Sequence, residues 1–204
     1  MATVAVSEQN ISNHSNIAVS DRQSFTNHTK MTVNLYGTKI TVTVTASASV
    51  VDEWIQTTVF RGTKFLRLRL LVVGLSIDPN ADTLQLCVGR RCLIFQLSRA
   101  DFVPPSLRCF LLNDWHDRML RSSKHCLKMY IGSMDLGWID AAFDNCSVEE
   151  IIHKCLGFNV ELREDIRTSN WSQEILSDDQ ILYACVEAYC AFAVGIDRRV
   201  WLFS

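Results

Sequence analysis

From Phe65 to Leu97 the chain reads as three strands in succession, and no other stretch constrains the fold as much. Phe65–Ile77 is a long apolar run with β-branched residues near its end, the pattern of a strand buried on both faces. Pro79-Asn80 ends it. Thr83–Val88 and Cys92–Leu97 follow, separated by Gly89-Arg90-Arg91, so the three strands form a meander. Upstream, Val33 and Leu35 alternate with polar residues, Gly37-Thr38 interrupts, and Ile40, Val42 and Val44 alternate again, as in a β-hairpin. Val51–Thr57 suits a short helix or a link. Residues 1–30 are rich in Ser, Asn, Thr and His without sustained periodicity, and are expected to be a disordered leader. Residues 31–204 are expected to be one domain.

Helices follow the strands. Pro104-Pro105 opens a helix through Leu112. A second candidate runs from about Asp117 to Met129. Ser147-Val148-Glu149-Glu150 is a capping box and Gly157 stands where a C-terminal glycine belongs, which predicts a helix over Val148–Leu156. Ser177-Asp178-Asp179-Gln180 is another capping box, opening a last helix that runs to about Val200. Ile181, Cys185, Ala188 and Phe192 give it an apolar stripe. Strands first and helices after, with central strands buried on both sides, indicate an α+β or mixed α/β sandwich.

The net charge of −2 excludes a strongly basic nucleic-acid binder, so any polyanion must be held by a local patch or a bound metal. The 8 cysteines contain no C-x-x-C pair, and most sit in apolar runs, which points to reduced thiols rather than a zinc site or a disulfide framework. No signal peptide and no membrane-spanning run is expected. Asn10, Asn13, Asn27, Asn145 and Asn170 each begin an N-x-S/T triplet, which carries no meaning without secretion.

Two constellations carry candidate chemistry. Tyr183 and Glu187 stand four residues apart on the last helix, one above the other on one face. A phenol and a carboxylate so placed can hold a water against a metal ion, and they are equally the pattern of an interior tyrosine beside a surface glutamate. Ser76 and Asp78 share one side of the strand end. Asp78 opposed by Glu187 could hold Mg2+ or Mn2+, which prefer oxygen ligands. Alternatively, Asp78-Pro79-Asn80 is only a turn.

Four pieces extend this reading: Tyr36–Trp54 (YGTKITVTVTASASVVDEW), Val72–Ser98 (VVGLSIDPNADTLQLCVGRRCLIFQLS), Arg121–Leu127 (RSSKHCL) and Ser169–Tyr189 (SNWSQEILSDDQILYACVEAY). In this order and spacing the chain resembles the plant Werner syndrome-like 3′–5′ exonucleases, a DEDD-type branch of the ribonuclease H-like superfamily. The resemblance covers roughly Met31–Trp201 and implies an α/β fold, a ribonuclease H-like mixed sheet flanked by helices. It also implies phosphodiester hydrolysis with two divalent ions, Mg2+ or Mn2+, held by four carboxylates: a D-x-E on the first strand, an Asp on a middle helix and an Asp on the last. A Tyr four residues before the last Asp orients the attacking water. Carried over, the D-x-E positions fall on Ser76 and Asp78, the middle acid on Asp117 with Asp114 as second choice, the last acid on Glu187 and the tyrosine on Tyr183.

The departures define the question. Ser76 stands where the family has the carboxylate that bridges both ions, and a hydroxyl cannot supply that charge. Asp78 is one methylene shorter than the family's acid and Glu187 one longer, and magnesium tolerates such shifts poorly. The stretch between Leu112 and Asp117 is too short for the apolar strand the family carries there. The expected function is therefore a weak 3′–5′ exonuclease, with an inactive nucleic-acid or protein binding module on the same fold as the alternative. Nucleic acid, as single strands or 3′ ends of DNA or RNA, is the expected partner, with no membrane. Its contacts are expected at Ser76, Lys124, His125 and Lys128, with Arg90 and Arg91 as further candidates; these charges also suit a solvated face. Trp171 is expected to pack. The expected location is nucleus, cytoplasm or both.

Overall fold

Strand pairing follows the alternation of apolar and polar residues along the chain. A computed structural model describes residues 17–60, 72–111, 128–131 and 146–198. Among these, seven strands form one sheet: β1 (Ile17–Ser24), β2 (Thr29–Leu35), β3 (Thr38–Thr45), β4 (Val72–Ile77), β5 (Thr83–Val88), β6 (Arg91–Gln96) and β7 (Lys128–Ile131). Their order is β1-β2-β3-β6-β5-β4-β7. The pairs β3–β6 and β4–β7 are parallel and the rest antiparallel. The core of the sheet is thus the three-strand meander β4–β5–β6 with the parallel strand β7 added beside its first member. The helices are α1 (Ala48–Ile55, continued by a π turn over Gln56–Phe60), α2 (Pro105–Leu111), α3 (Val148–Leu156), α4 (Glu164–Arg167) and α5 (Asp178–Asp197).

Period-two alternation divides the sheet into two faces. Val73 and Leu75 of β4, Leu84, Leu86 and Val88 of β5, and Leu93 and Phe95 of β6 face one way, against Val51, Trp54 and Ile55 of α1 and Leu107 and Phe110 of α2. The intervening residues face α5, which packs across β4, β5 and β6. There Cys87, Cys92, Ile94 and the β2–β3 side chains meet Ile181, Ala184, Cys185 and Ala188. Full burial of each Leu, Ile or Phe stabilises the fold by about 1.5–3 kcal/mol. Cys87 and Cys92 are register partners, and they, Cys185 and Cys190 are free thiols in this core. Hydrogen bonds from Cys185 and Cys87 pull the Cys92 thiol down, whereas burial pushes Cys190 up.

The turns and caps are those the residues dictate. Tyr36 and Gly37 both take positive φ, 48° and 82°, in the two-residue turn that joins β2 to β3. Both capping boxes form, at Ser147/Glu150 and Ser177/Gln180, and Gly157 closes α3 in the left-handed conformation.

Four expectations change. Residues 17–30 are not a leader: Ile17 and Val19 pack on the core, and β1 with the start of β2 extends the sheet. The β1–β2 register shifts between Ser20 and Gln23, Asp21 takes a positive φ of 53°, and Arg22 is ion-paired with Asp178 at the start of α5. Lys128 and Met129 lie in β7 rather than on a helix, because the apolar Met129-Tyr130-Ile131 run supplies a strand partner for β4. The last helix ends at Asp197, short of Val200. That helix is also long and apolar enough to cross a membrane by length and composition alone, but more than half of its apolar window is buried inside this fold. The first part of the Phe65–Ile77 run and the stretch between Leu112 and Asp117 lie outside the described residues.

The approach of α5 to β4 is set at Gly74. A Cβ there would fall inside the carbonyl oxygen of Ala188 and 2.6 Å from the Phe192 amide nitrogen. Both obstacles are backbone and cannot rotate away. Gly74→Ala is expected to destabilise the protein by about 1–3 kcal/mol or more, seen as a lower urea midpoint. A change below about 0.5 kcal/mol, the scale of an ordinary surface substitution, would contradict this packing.

Candidate functional site

The alternation that sends Val73 and Leu75 to the α1–α2 face sends Gly74 and Ser76 toward α5. Ser76 is buried, and its hydroxyl donates a hydrogen bond to Glu187 Oε2. The strand end and the last helix therefore meet at the two positions picked out in the sequence. Tyr183 lies one turn before Glu187, and both line a small recess with Ile77, Asp78, Gln85, Arg167 and Trp171. The recess has a volume of about 10 Å3, near the lower limit for one water molecule.

Asp78 is buried, and the β4–β5 turn takes up its carboxylate. Oδ1 accepts from the backbone N–H of Thr83 and from the Thr83 hydroxyl at 3.0 Å, and Oδ2 accepts from the Asn80 N–H at 3.0 Å. This is the turn alternative in its local form. Glu187 accepts from Ser76. Burial raises its pKa, while the Ser76 hydrogen bond and the positive charge of Arg167 offset part of that rise. Burial, reinforced by the charge of Glu187, holds the Tyr183 phenol well above its ordinary pKa, so it is a neutral donor across the physiological range.

Trp171 packs as expected. It is fully buried, its Nε1 donates to the Arg167 carbonyl at 2.9 Å, and its ring meets Tyr183 edge-on with centroids 6.0 Å apart. Arg91 reaches Thr57 at 3.3 Å, and Arg90 lies in the β5–β6 turn. Asp117, Asp114, Lys124 and His125 lie outside the described residues. Ser76, expected to touch nucleic acid, is enclosed and spends its hydroxyl on Glu187, so it offers no surface to a phosphate.

The described residues do not fit a two-ion centre. Two ions about 3.5–4 Å apart need several free carboxylate oxygens and room for water ligands. Here both Asp78 oxygens are engaged by turn donors, Glu187 is held by Ser76, and the recess has a volume of only about 10 Å3. Among the described residues no group of three or more His, Cys, Asp or Glu side chains is placed to hold a metal.

Two residues of the recess, Gln85 and Arg167, and Thr83 behind it did not emerge from the sequence reading. Gln85 is the register partner of Ser76 and only 1% exposed; its Nε2 donates to Thr83 Oγ1 at 2.6 Å, and its buried Oε1 has no hydrogen-bond partner. Thr83 supports Asp78. Arg167 brings a cation to the recess mouth and is itself paired with Glu164 at 3.0 Å. The signal was present in β5, where Thr83 and Gln85 interrupt an otherwise apolar buried strand at the period that faces Ser76.

No protein-family model and no curated protein matches this chain. Among solved structures it is similar to the EXO domain of Aedes aegypti Nibbler, at 13% identity and a TM-score of 0.49, covering 78% of this chain and 88% of that one. It is also similar to the exonuclease domain of EXD2, from a crystal soaked in Mn and Mg, at 18% identity and a TM-score of 0.25, covering 76% of this chain and 87% of that one.

The environment of Glu187 makes a signed prediction. A carboxyl whose folded pKa lies above its unfolded value favours the folded state when protonated. That contribution is complete below the ordinary glutamate pKa of about 4.3 and is lost as pH rises through the folded value. Glu187→Gln, which still accepts from Ser76, is expected to raise the melting temperature at pH 7, with an advantage that shrinks toward pH 4. A less stable variant at pH 7 would show that burial does not dominate at this carboxyl.

Proposed function

We propose that this chain is an exonuclease-like domain that binds nucleic acid, single strands or 3′ ends, and hydrolyses phosphodiesters weakly at most. The observation that carries the reading is the Ser76–Glu187 hydrogen bond. Where the plant Werner-like resemblance places a bridging carboxylate against the last acid, the chain has a hydroxyl that donates to it. A neutral donor satisfies Glu187 without a cation, whereas two acids in those positions would require one.

The fold supports the nucleic-acid part of the reading. Its mixed sheet, with α5 laid over the end of the meander's first strand, is the frame on which exonuclease domains build their sites. Tyr183 and Glu187 support descent from a hydrolytic centre, since they keep the spacing and face that such chemistry uses. Mg2+ or Mn2+ would supply Lewis-acid stabilisation of the phosphoryl oxygens wherever a complete carboxylate set holds it. Misplaced catalytic groups cost about 100-fold or more in rate, so turnover is expected far below that of a four-carboxylate site. Free thiols support an intracellular setting, nucleus or cytoplasm.

A 3′-labelled single strand incubated with Mn2+ tests the reading. The expected result is salt-sensitive binding with cleavage at or near background. Ser76→Asp is expected to raise Mn2+ affinity by calorimetry, because it returns a carboxylate to the strand end beside Glu187. Robust Mn2+-dependent cleavage by the natural sequence, abolished in Glu187→Gln, would overturn the weak-hydrolysis reading; no binding of any oligonucleotide would overturn the nucleic-acid reading.

A further inference from the structure

Strands β3, β6, β4 and β7 all end on one edge of the sheet, because β5 runs antiparallel to both β4 and β6. Open α/β sheets take ligands in the crevice outside such strand ends, between helices on opposite faces. The Glu187 recess lies off the end of β4. A much larger cavity, about 660 Å3, lies off the ends of β3 and β6 at Thr45 and Gln96. The start of α1 forms one wall, and the chain entering α5 at Ile175 and Leu176 forms the other. That volume is within the range of about 300–1,000 Å3 typical of small-ligand sites.

The walls combine flat apolar surface with exchangeable cations. Phe25, Phe102 and Ile175 are 49%, 58% and 73% exposed, and all three line this cavity. Phe25 stacks on His28 with ring centroids 4.4 Å apart and planes inclined by 10°, and the buried His28 Nε2 has no hydrogen-bond partner. Arg22 and Arg99 reach the same space, paired with Asp178 and Glu174. Such exposed pairs are worth about 0–1 kcal/mol, so each guanidinium can exchange its carboxylate for a phosphate. Asp101 and Glu174 also line the cavity, so it is no bare anion trap. The α1 N-terminus adds a smaller positive end, with no side-chain cap hydrogen bond and no acid in its first turn.

We propose that this cavity binds a nucleotide unit, with its base on the exposed Phe102 ring and its phosphate between Arg22 and Arg99. The proposal rests on the nucleic-acid reading above and extends it to a subsite away from Glu187. Two sources offer the same chemistry: a residue of a single strand running along the strand ends, and a free nucleoside monophosphate.

Anisotropy of a fluorescent oligothymidylate of about ten residues, at low salt, tests the proposal with thymidine monophosphate as competitor. Phe102→Ala is expected to weaken binding about tenfold, the scale of one lost base–aromatic stack. Arg22→Ala with Arg99→Ala is expected to lower the salt slope by about 1–2. Thermal melts check that these exposed substitutions leave the fold intact. Competition by the monophosphate that disappears in Phe102→Ala assigns the cavity to free nucleotides as well, and oligonucleotide loss without such competition assigns it to the strand. Variants that bind the oligonucleotide as the natural protein does would overturn this inference and leave the nucleic-acid reading standing. The same holds if the variants lose only the fluorescence of an apolar dye, which would mark the cavity as a docking place for an apolar partner. A natural protein that binds no oligonucleotide would sink both.

Discussion

Everything at the strand end depends on how closely α5 lies on β4. At position 74 any side chain would collide with the helix backbone, so the helix descends onto the strand there. Two residues later the gap is spanned by one hydroxyl, which reaches Glu187 directly. Closeness of this degree brings the groups of strand and helix into contact and leaves space for little else. With a serine on the strand facing Glu187, that closeness makes a direct polar contact.

The electrostatics follow from that serine. A cluster of acids at a strand end is stable only with a cation, since like charges in a partly buried place raise one another's pKa. With Ser76 rather than an acid beside Glu187 there is no such repulsion, and the hydroxyl supplies a donor. Both Asp78 oxygens already accept from the Thr83 and Asn80 donors of the turn. What is left at the recess is one carboxyl pushed toward its neutral form, a neutral phenol and a single guanidinium at the mouth. That combination is a small polar contact rather than a metal cage.

Much of the frame was legible in the sequence because it rests on local rules. Both capping boxes, the αL glycine at 157, the hairpin at Gly37 and the β4–β6 meander are decided within a few residues of one another. That the strand end meets Glu187 was legible too, but through Asp78, whereas the contact goes to Ser76. What escaped notice depends on tertiary packing. Residues 17–30 read as leader because Ile17 and Val19 are two apolar positions in a polar stretch, and only pairing with β2 makes them a strand. Arg167 could not be placed, because a four-residue helix has too little pattern to fix its facing. Asp78 was open between ligand and turn, and the contest went to the donors nearest in sequence. The strand-end cavity left no linear trace, since its walls come from five separate segments.

The irregular outer strand has a consequence for how copies of this chain behave together. A straight, regularly paired β1 would present a row of free backbone groups, the template on which another chain can add a strand. The slip after Ser20, the left-handed turn at Asp21 and the tether from Arg22 to the start of α5 break that row in its middle. Only a few residues on either side keep the repeat that docking would need. The molecule thus guards the β1 edge of its sheet against edge-to-edge growth with a kink, and the same tether lends the kink a second duty as one bank of the strand-end cavity.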